Sequence, residues 1–269
     1  MSNEKRLKGL CIKASPLGEN DRLITFLSEE QGLSRFAVPG ARKPKSSLAS
    51  ASPLTLLEIQ IFGKKNLKTV RQLKIIKSYS GLGRSIESLA AAQAITELTF
   101  MLVANEDKQN NYLSTVLAHL DRLAEYNPTS ESDLKILAIC IQSLMHLLAI
   151  GGLSLPLYYC CLTGKPIQPP IGNWDWTCFF VPSEGFSIVE DTRSLINLNA
   201  SEIALMQRLL FPDLPIKSNG ELLGPKEVWK KILKIFCIWV PAQLGKEISS
   251  LKILGCLLYT SDAADDKCS

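Results

Sequence analysis

The chain has 269 residues, 46% of them apolar and 21% charged, a globular composition that excludes a disordered or fibrous protein. Its net charge of +4 is unevenly spread: residues 1–80 carry 15 Lys+Arg against 6 Asp+Glu, and the remainder carries 15 against 20. A basic first third followed by a mildly acidic remainder points to a polyanion-facing module joined to one with another task. The eight cysteines lack the regular spacing of a disulfide framework, and the opening MSNEKRLKGL is too charged for a cleavable signal, so a reducing cytoplasm is expected.

Residues 6–14, 22–28, 33–38, 54–62 and 67–77 are five runs rich in Leu, Ile, Val and Phe, separated by turn chemistry at Pro16-Leu17-Gly18, at Gly32 and at Gly63. In the fourth run Thr55, Leu57, Ile59 and Ile61 alternate with a mixed set, giving one apolar face. Five short strands in under eighty residues predict a small closed barrel of the OB type, whose exposed face and loops commonly take nucleic acid. Between the third and fourth runs lies PGARKPKSS, residues 39–47, which two prolines and a glycine keep out of regular structure. It is expected to be a mobile cationic tip. Arg42, Lys43 and Lys45 of this loop, with Arg22, Arg35, Lys64, Lys65, Lys68 and Arg71, are the candidate DNA-binding residues, and Lys74 and Lys77 continue the same basic run. The only aromatics nearby are Phe26, Phe36, Phe62 and Tyr79, so affinity without much base preference is expected.

After Gly83 the period changes to that of helices. Ser85 is placed to cap a helix over 85–104, and Leu113, Val116, Leu117, Leu120, Leu123 and Ala124 form the apolar stripe of a second over 111–126. A third helix, 133–150, is apolar almost all round. It sits in a 29-residue run, 136–164, with no Asp, Glu, Lys or Arg, long enough to span a bilayer, but Gln142, His146, Gly151-Gly152 and Pro156 divide that run. A buried core helix is the expectation, and no membrane partner. Asn199 and Glu202 form an N-x-x-E capping box for a helix to about Leu210. Gly224-Pro225 opens another, with Trp229, Ile232, Leu233 and Phe236 facing in and Lys226, Lys230, Lys231 and Lys234 facing out. The final CLLYTSDAADD breaks all periodicity and resembles translated sequencing-adapter sequence; residues 256–269 are expected to be foreign and disordered.

Catalytic and metal chemistry is sparse. There is no G-x-x-x-x-G-K-[ST] loop, no G-x-G-x-x-G and no H-E-x-x-H, and His119 and His146 both lie within helical patterns. A zinc site at YYCCLTGKPI would need a C-x-x-C pair and a second pair downstream, yet Thr163 stands three residues after Cys160, with Val189 and Thr192 at the downstream spacing. Residues 156–192 are expected to form a loop stiffened by Pro and Trp, holding no metal. The fold expected is α+β: an N-terminal five-stranded OB-fold barrel over 1–80, then an all-helical domain over 81–255 carrying this zinc-less Cys loop.

The chain resembles the bacterial RecO family of recombination mediators. The likeness lies in the P-x-G-E-x-D-R-L turn at 16–23, the E-x-G at 30–32, G-A-R-x-P at 40–44, T-L-L-E at 55–58, L-A-A-A at 89–92 and F-x-P-x-E-G at 180–185. It covers about residues 5–254. The resemblance implies a non-enzymatic DNA repair protein, without cofactor, that binds single- and double-stranded DNA, anneals complementary strands and associates with RecR. It also implies a contact with the acidic C-terminal tail of single-strand-binding protein (SSB), for which Lys230, Lys231 and Lys234 are candidates, and help to RecA in displacing SSB. Two other readings remain open: an OB-fold RNA-binding factor, and a cysteine-dependent enzyme using Cys160 or Cys161.

Overall fold

A computed structural model describes residues 4–63, 67–103, 111–126 and 132–265, with side chains omitted for Ser132 and beyond 257. The chain divides into two compact units, one of Met1–Arg84 with Thr99–Ala124, the other of Ser85–Leu98 with Glu125–Ser269.

The first unit is built on a closed five-stranded barrel. Strands β1 (Glu4–Leu17), β2 (Asp21–Ser28), β3 (Gly32–Val38), β4 (Thr55–Phe62) and β5 (Lys68–Ser78) close in the order β1-β2-β3-β5-β4. The antiparallel meander β1-β2-β3 is closed by a short parallel pairing of β3 with β5 (Phe36 opposite Lys68, Ala37 opposite Thr69) and by β1 against β4. This is the OB-fold expected from the sequence. Residues of one parity point inward: Leu7 and Cys11, Ile24 and Phe26, Phe36 and Val38, Leu57, Ile59 and Ile61, and Val70 form one core cluster. Phe26 and Phe36 meet edge to face at 6.0 Å between centroids. Gly9 is required where β1 crosses β2, since a Cβ there would lie 2.1 Å from the Leu27 carbonyl oxygen. Helix α2 (Tyr112–Glu125) belongs to the same unit, and its Asp121 accepts hydrogen bonds from Lys77 Nζ (2.8 Å) and Tyr79 Oη (2.5 Å) at the end of β5.

In the second unit α1 (Ile86–Leu102, whose last residues belong to the first unit) starts at the expected cap, with the Ser88 N–H donating to Ser85 Oγ at 3.1 Å. Helix α3 (Ser132–Ile150) is the core element: from Ile136 to Leu148 its apolar side chains are buried. It meets the length and hydropathy of a membrane span, and its apolar surface is used in packing. Helix α4 (Ala200–Arg208) opens on the anticipated capping box, Asn199 Oδ1 accepting from Glu202 N and Glu202 Oε2 from Asn199 N, each at 2.9 Å. Helix α5 (Lys226–Leu244) packs on α3 and on α6 (Ser249–Asp265). The α6 backbone continues past Cys256, where the sequence reading sets a break.

Two expectations need correction. The C-terminal part is not all helical: β6 (Thr177–Val181), β7 (Gly185–Ser187) and β8 (Ile196–Asn199) form an antiparallel sheet of order β7-β6-β8 where a loop was expected. Trp174 of that segment is 89% exposed, while Trp176 is half-buried. On α5 the four lysines do not share an outer face. Lys230 is 5% exposed and bonds Glu227, Lys231 reaches Glu202 at 2.5 Å, and only Lys234 of the four is exposed.

Candidate nucleic-acid interface

Strand parity decides what each cation on the barrel can reach. Arg22 shares the inward parity of Ile24 and Phe26, so its side chain points toward the barrel end rather than the outer face. There its guanidinium donates to the carbonyl oxygens of Ala49 (2.8 Å) and Ala51 (3.1 Å), tying down the β3–β4 loop. Arg42 acts from the loop itself, donating through Nη1 to Gly18 O (3.1 Å) and through its backbone N–H to Asn20 O (2.9 Å). The Gly40 N–H adds a bond of 2.7 Å to Asp21 Oδ1. Ala41 and Ala51 are buried in the barrel core, with Leu48 packed against it. The loop expected to be a mobile tip is therefore anchored along its length, and it stands beside the β1–β2 turn. Lys43 and Lys45 project from it, exposed and without an ion pair among the described residues, and Lys45 takes a left-handed φ of 61°.

The remaining candidates are spread around the barrel. Arg35 is exposed on the outer face of β3, and Lys68 sits at the parallel junction with β3. Arg71 lies over the Phe62 ring at 3.9 Å from its centroid and pairs with Glu4 at 3.6 Å. Lys64 and Lys65 fall outside the described residues. Sequence reasoning gave no weight to Arg6, Lys8 and Lys13, which are exposed on β1; the alternation of Arg6 and Lys8 with Leu7 and Gly9 was the signal that would have found them.

The segment around Cys160 forms a hydrogen-bonded turn. Cys160 N donates to Lys165 O, Ile167 N to Tyr158 O and Gly164 N to Cys160 O, with Gly164 at φ 68°. Burial opposes ionisation of the Cys160 thiol, yet hydrogen bonds from the Thr163 and Ser187 side chains and from the Ile188 and Thr163 backbone outweigh it and bring its pKa down to about 6. Burial pushes Cys178 up to about 12. Thr163, Val189 and Thr192 stand at the positions where the sequence spacing would need the other three cysteines of a zinc site. Among the described residues no three His, Cys, Asp or Glu side chains gather to hold a metal. The partners of Cys160 are these hydroxyl and amide groups, while His146 Nε2 lies 3.0 Å from Leu209 O.

Beside α4 and α5 the second unit carries an open apolar cavity of about 500 Å³. Ile171, Trp174, Leu205 and Val228 line it, and Arg208 stands at it, exposed and free of ion pairs among the described residues.

Comparison with known proteins decides the family. Residues 1–79 match the model for the Recombination protein O N terminal region, and residues 83–252 the model for its C terminal region. This chain belongs to the RecO family. It is 48% identical over 267 residues to the DNA repair protein RecO of Synechococcus sp. (strain WH7803), covering 98% of each chain. With that of Prochlorococcus marinus (strain MIT 9313) it shares 47% over 255 residues, 94% of this chain and 96% of the relative. With that of Synechococcus elongatus it shares 31% over 276 residues, 98% and 99% of the two chains. A RecO-family chain has its role in DNA repair and recombination, and the OB barrel is the N-terminal part of that assignment.

Proposed function

We propose that this RecO-family protein is a recombination mediator that works without catalysis in the cytoplasm, gripping DNA by its phosphates and annealing complementary strands. Residues 1–80 take single- and double-stranded DNA, and residues 81–255 take protein partners. The observation that carries this reading is the anchored loop: Arg22 and Arg42 each bond backbone carbonyls through Nη1 and thereby hold Lys43 and Lys45 out to solvent beside the β1–β2 turn. In OB-folds, turns at that end of the barrel border the strand-binding face. Arg35 and Lys68 extend the positive surface along β3 and the start of β5. Cations contact phosphates without reading bases, and neutralised strands repel each other less while their base edges stay free to pair.

Association with RecR and assistance to RecA on SSB-covered DNA follow from the family likeness. For the acidic SSB tail, the apolar cavity with Arg208 replaces the α5 lysines as the candidate seat, because Lys230 and Lys231 are already paired with carboxylates. The test is annealing of complementary oligonucleotides coated with SSB, followed by fluorescence. The full chain is expected to accelerate it, Lys43→Ala/Lys45→Ala to slow it about tenfold, and Arg208→Glu to abolish it on SSB-coated but not on bare strands. No acceleration by the wild type on bare strands contradicts the reading.

A further inference from the structure

The outer face of β1, β4 and β5 holds a second group of polar side chains. Register sets them in two rows across three strands: Arg6 opposite Gln60 and Gln60 opposite Gln72, then Lys8 opposite Glu58 and Glu58 opposite Lys74. Neighbouring strands lie about 4.8 Å apart and alternate residues about 7 Å apart, so the rows form a compact lattice. A shallow depression of about 200 Å³ opens among Arg6, Glu58, Gln60, Gln72 and Lys74, with Ile59 and Leu73, whose side chains belong to the core, completing its lining. Arg6, Lys8 and Lys74 are exposed, and among the described residues none of them has a hydrogen-bonding or ionic partner. The one anion of the rows, Glu58, forms no ion pair there. Gln60 donates an amide hydrogen to Glu4 Oε2 at 3.2 Å, which leaves its second amide hydrogen and its carbonyl for a ligand.

We infer that this face is a second binding surface for the sugar-phosphate backbone of a nucleic-acid strand, separate from the β3–β4 loop. The inference rests on the proposal that the protein binds DNA. Arg6 and Lys8 are near the first residues of β1, whereas the loop bonds to Gly18 and Asn20 just past its last residue, so the two cationic groups occupy opposite ends of that strand. Three unpaired cations set among amide donors match a phosphodiester chain, whose oxygens accept from both. A docked protein would need apolar anchors, and the rows supply none.

The experiment is binding of a labelled single-stranded oligonucleotide by the full chain across a salt series, comparing wild type, Arg6→Ala/Lys8→Ala/Lys74→Ala and Lys43→Ala/Lys45→Ala, with thermal melting as a folding control. At about 0.7 per phosphate contact, the triple variant is expected to reduce the slope of log K against log salt by about 2 and the loop variant by about 1.4. Combined, the substitutions should lower it by the sum. A folded triple variant with the wild-type slope overturns this inference while leaving the DNA-binding proposal intact. Wild-type failure to bind at low salt overturns both. Loss of an acidic peptide from the triple variant with DNA binding unchanged likewise overturns it, assigning the face to protein.

Discussion

Arg22 and Lys43 belong to the same corner of the barrel and differ in where their charge is used. Arg22 is half-buried and donates to two carbonyls, whereas Lys43 has only solvent. Arg22→Ala should therefore act on stability: about 1–2 kcal/mol for the charged hydrogen bonds lost, read by urea unfolding, with the salt slope of DNA binding unchanged. Lys43→Ala should do the reverse, moving unfolding by less than about 0.5 kcal/mol while reducing the slope. An Arg22→Ala variant of full stability and lowered slope would return that residue to the phosphate contacts. The sequence places all these cations in one basic stretch; their division into struts and contacts depends on strand parity and on loop carbonyls that come close only in the folded barrel. Glycine at position 9 is a similar case, since nothing around it in the chain announces the Leu27 carbonyl against it.

At the scale of elements, α2 is held to the end of β5 by one carboxylate. Burial opposes ionisation of Asp121, but the hydrogen bonds from Lys77 and Tyr79 prevail and hold its carboxyl below the usual range. Burial, then the bond to Asp121, pushes the Tyr79 phenol well above its ordinary value. A carboxylate whose pKa is depressed by folding stabilises the protein above its unfolded pKa of about 4, and that contribution disappears as pH falls through the lower folded value. Asp121→Asn should thus cost about 1 kcal/mol at pH 7, a modest figure because Asp121 and Lys77 are 42% and 48% exposed, and nothing once the pH has fallen below the folded value. Melting temperatures at the two pH values check this; an equal loss at both would make the contact purely steric. The helices themselves were legible. Ser85 and the Asn199–Glu202 box cap as their spacing requires, and of the α2 stripe Leu113, Val116, Leu120 and Leu123 are buried, while Leu117 is half-buried and Ala124 exposed. The strands β6, β7 and β8 were not, because at five, three and four residues they are too short to show a period. The outward face of the α5 lysines was misjudged: Lys231 pairs with Glu202 of α4, and a helical wheel holds no partner from another element, while Lys230 is buried although its partner Glu227, on the same helix, is exposed.

For the molecule as a whole, the charge division of the sequence corresponds to a division of chemistry. The barrel carries unpaired cations on its loop and on two outer faces, and its core is sealed by Leu, Ile and Phe. The second unit carries the apolar cavity with Arg208, and a turn at Cys160 that hydrogen bonds hold. The closure of the barrel was readable from five runs and their turns, since each run alternates toward one core. The cavity was not, because Ile171, Trp174, Leu205 and Val228 come from separate segments with no shared period.

The most direct measurement is the affinity of the full chain for a fluorescent single-stranded oligonucleotide as a function of salt, with an RNA of the same sequence as competitor. The account predicts tight binding at low salt, a slope of log K against log salt worth several phosphate contacts at about 0.7 each, and no preference for the RNA. Binding with a slope near zero, or displacement of the DNA by a small amount of RNA, would contradict it.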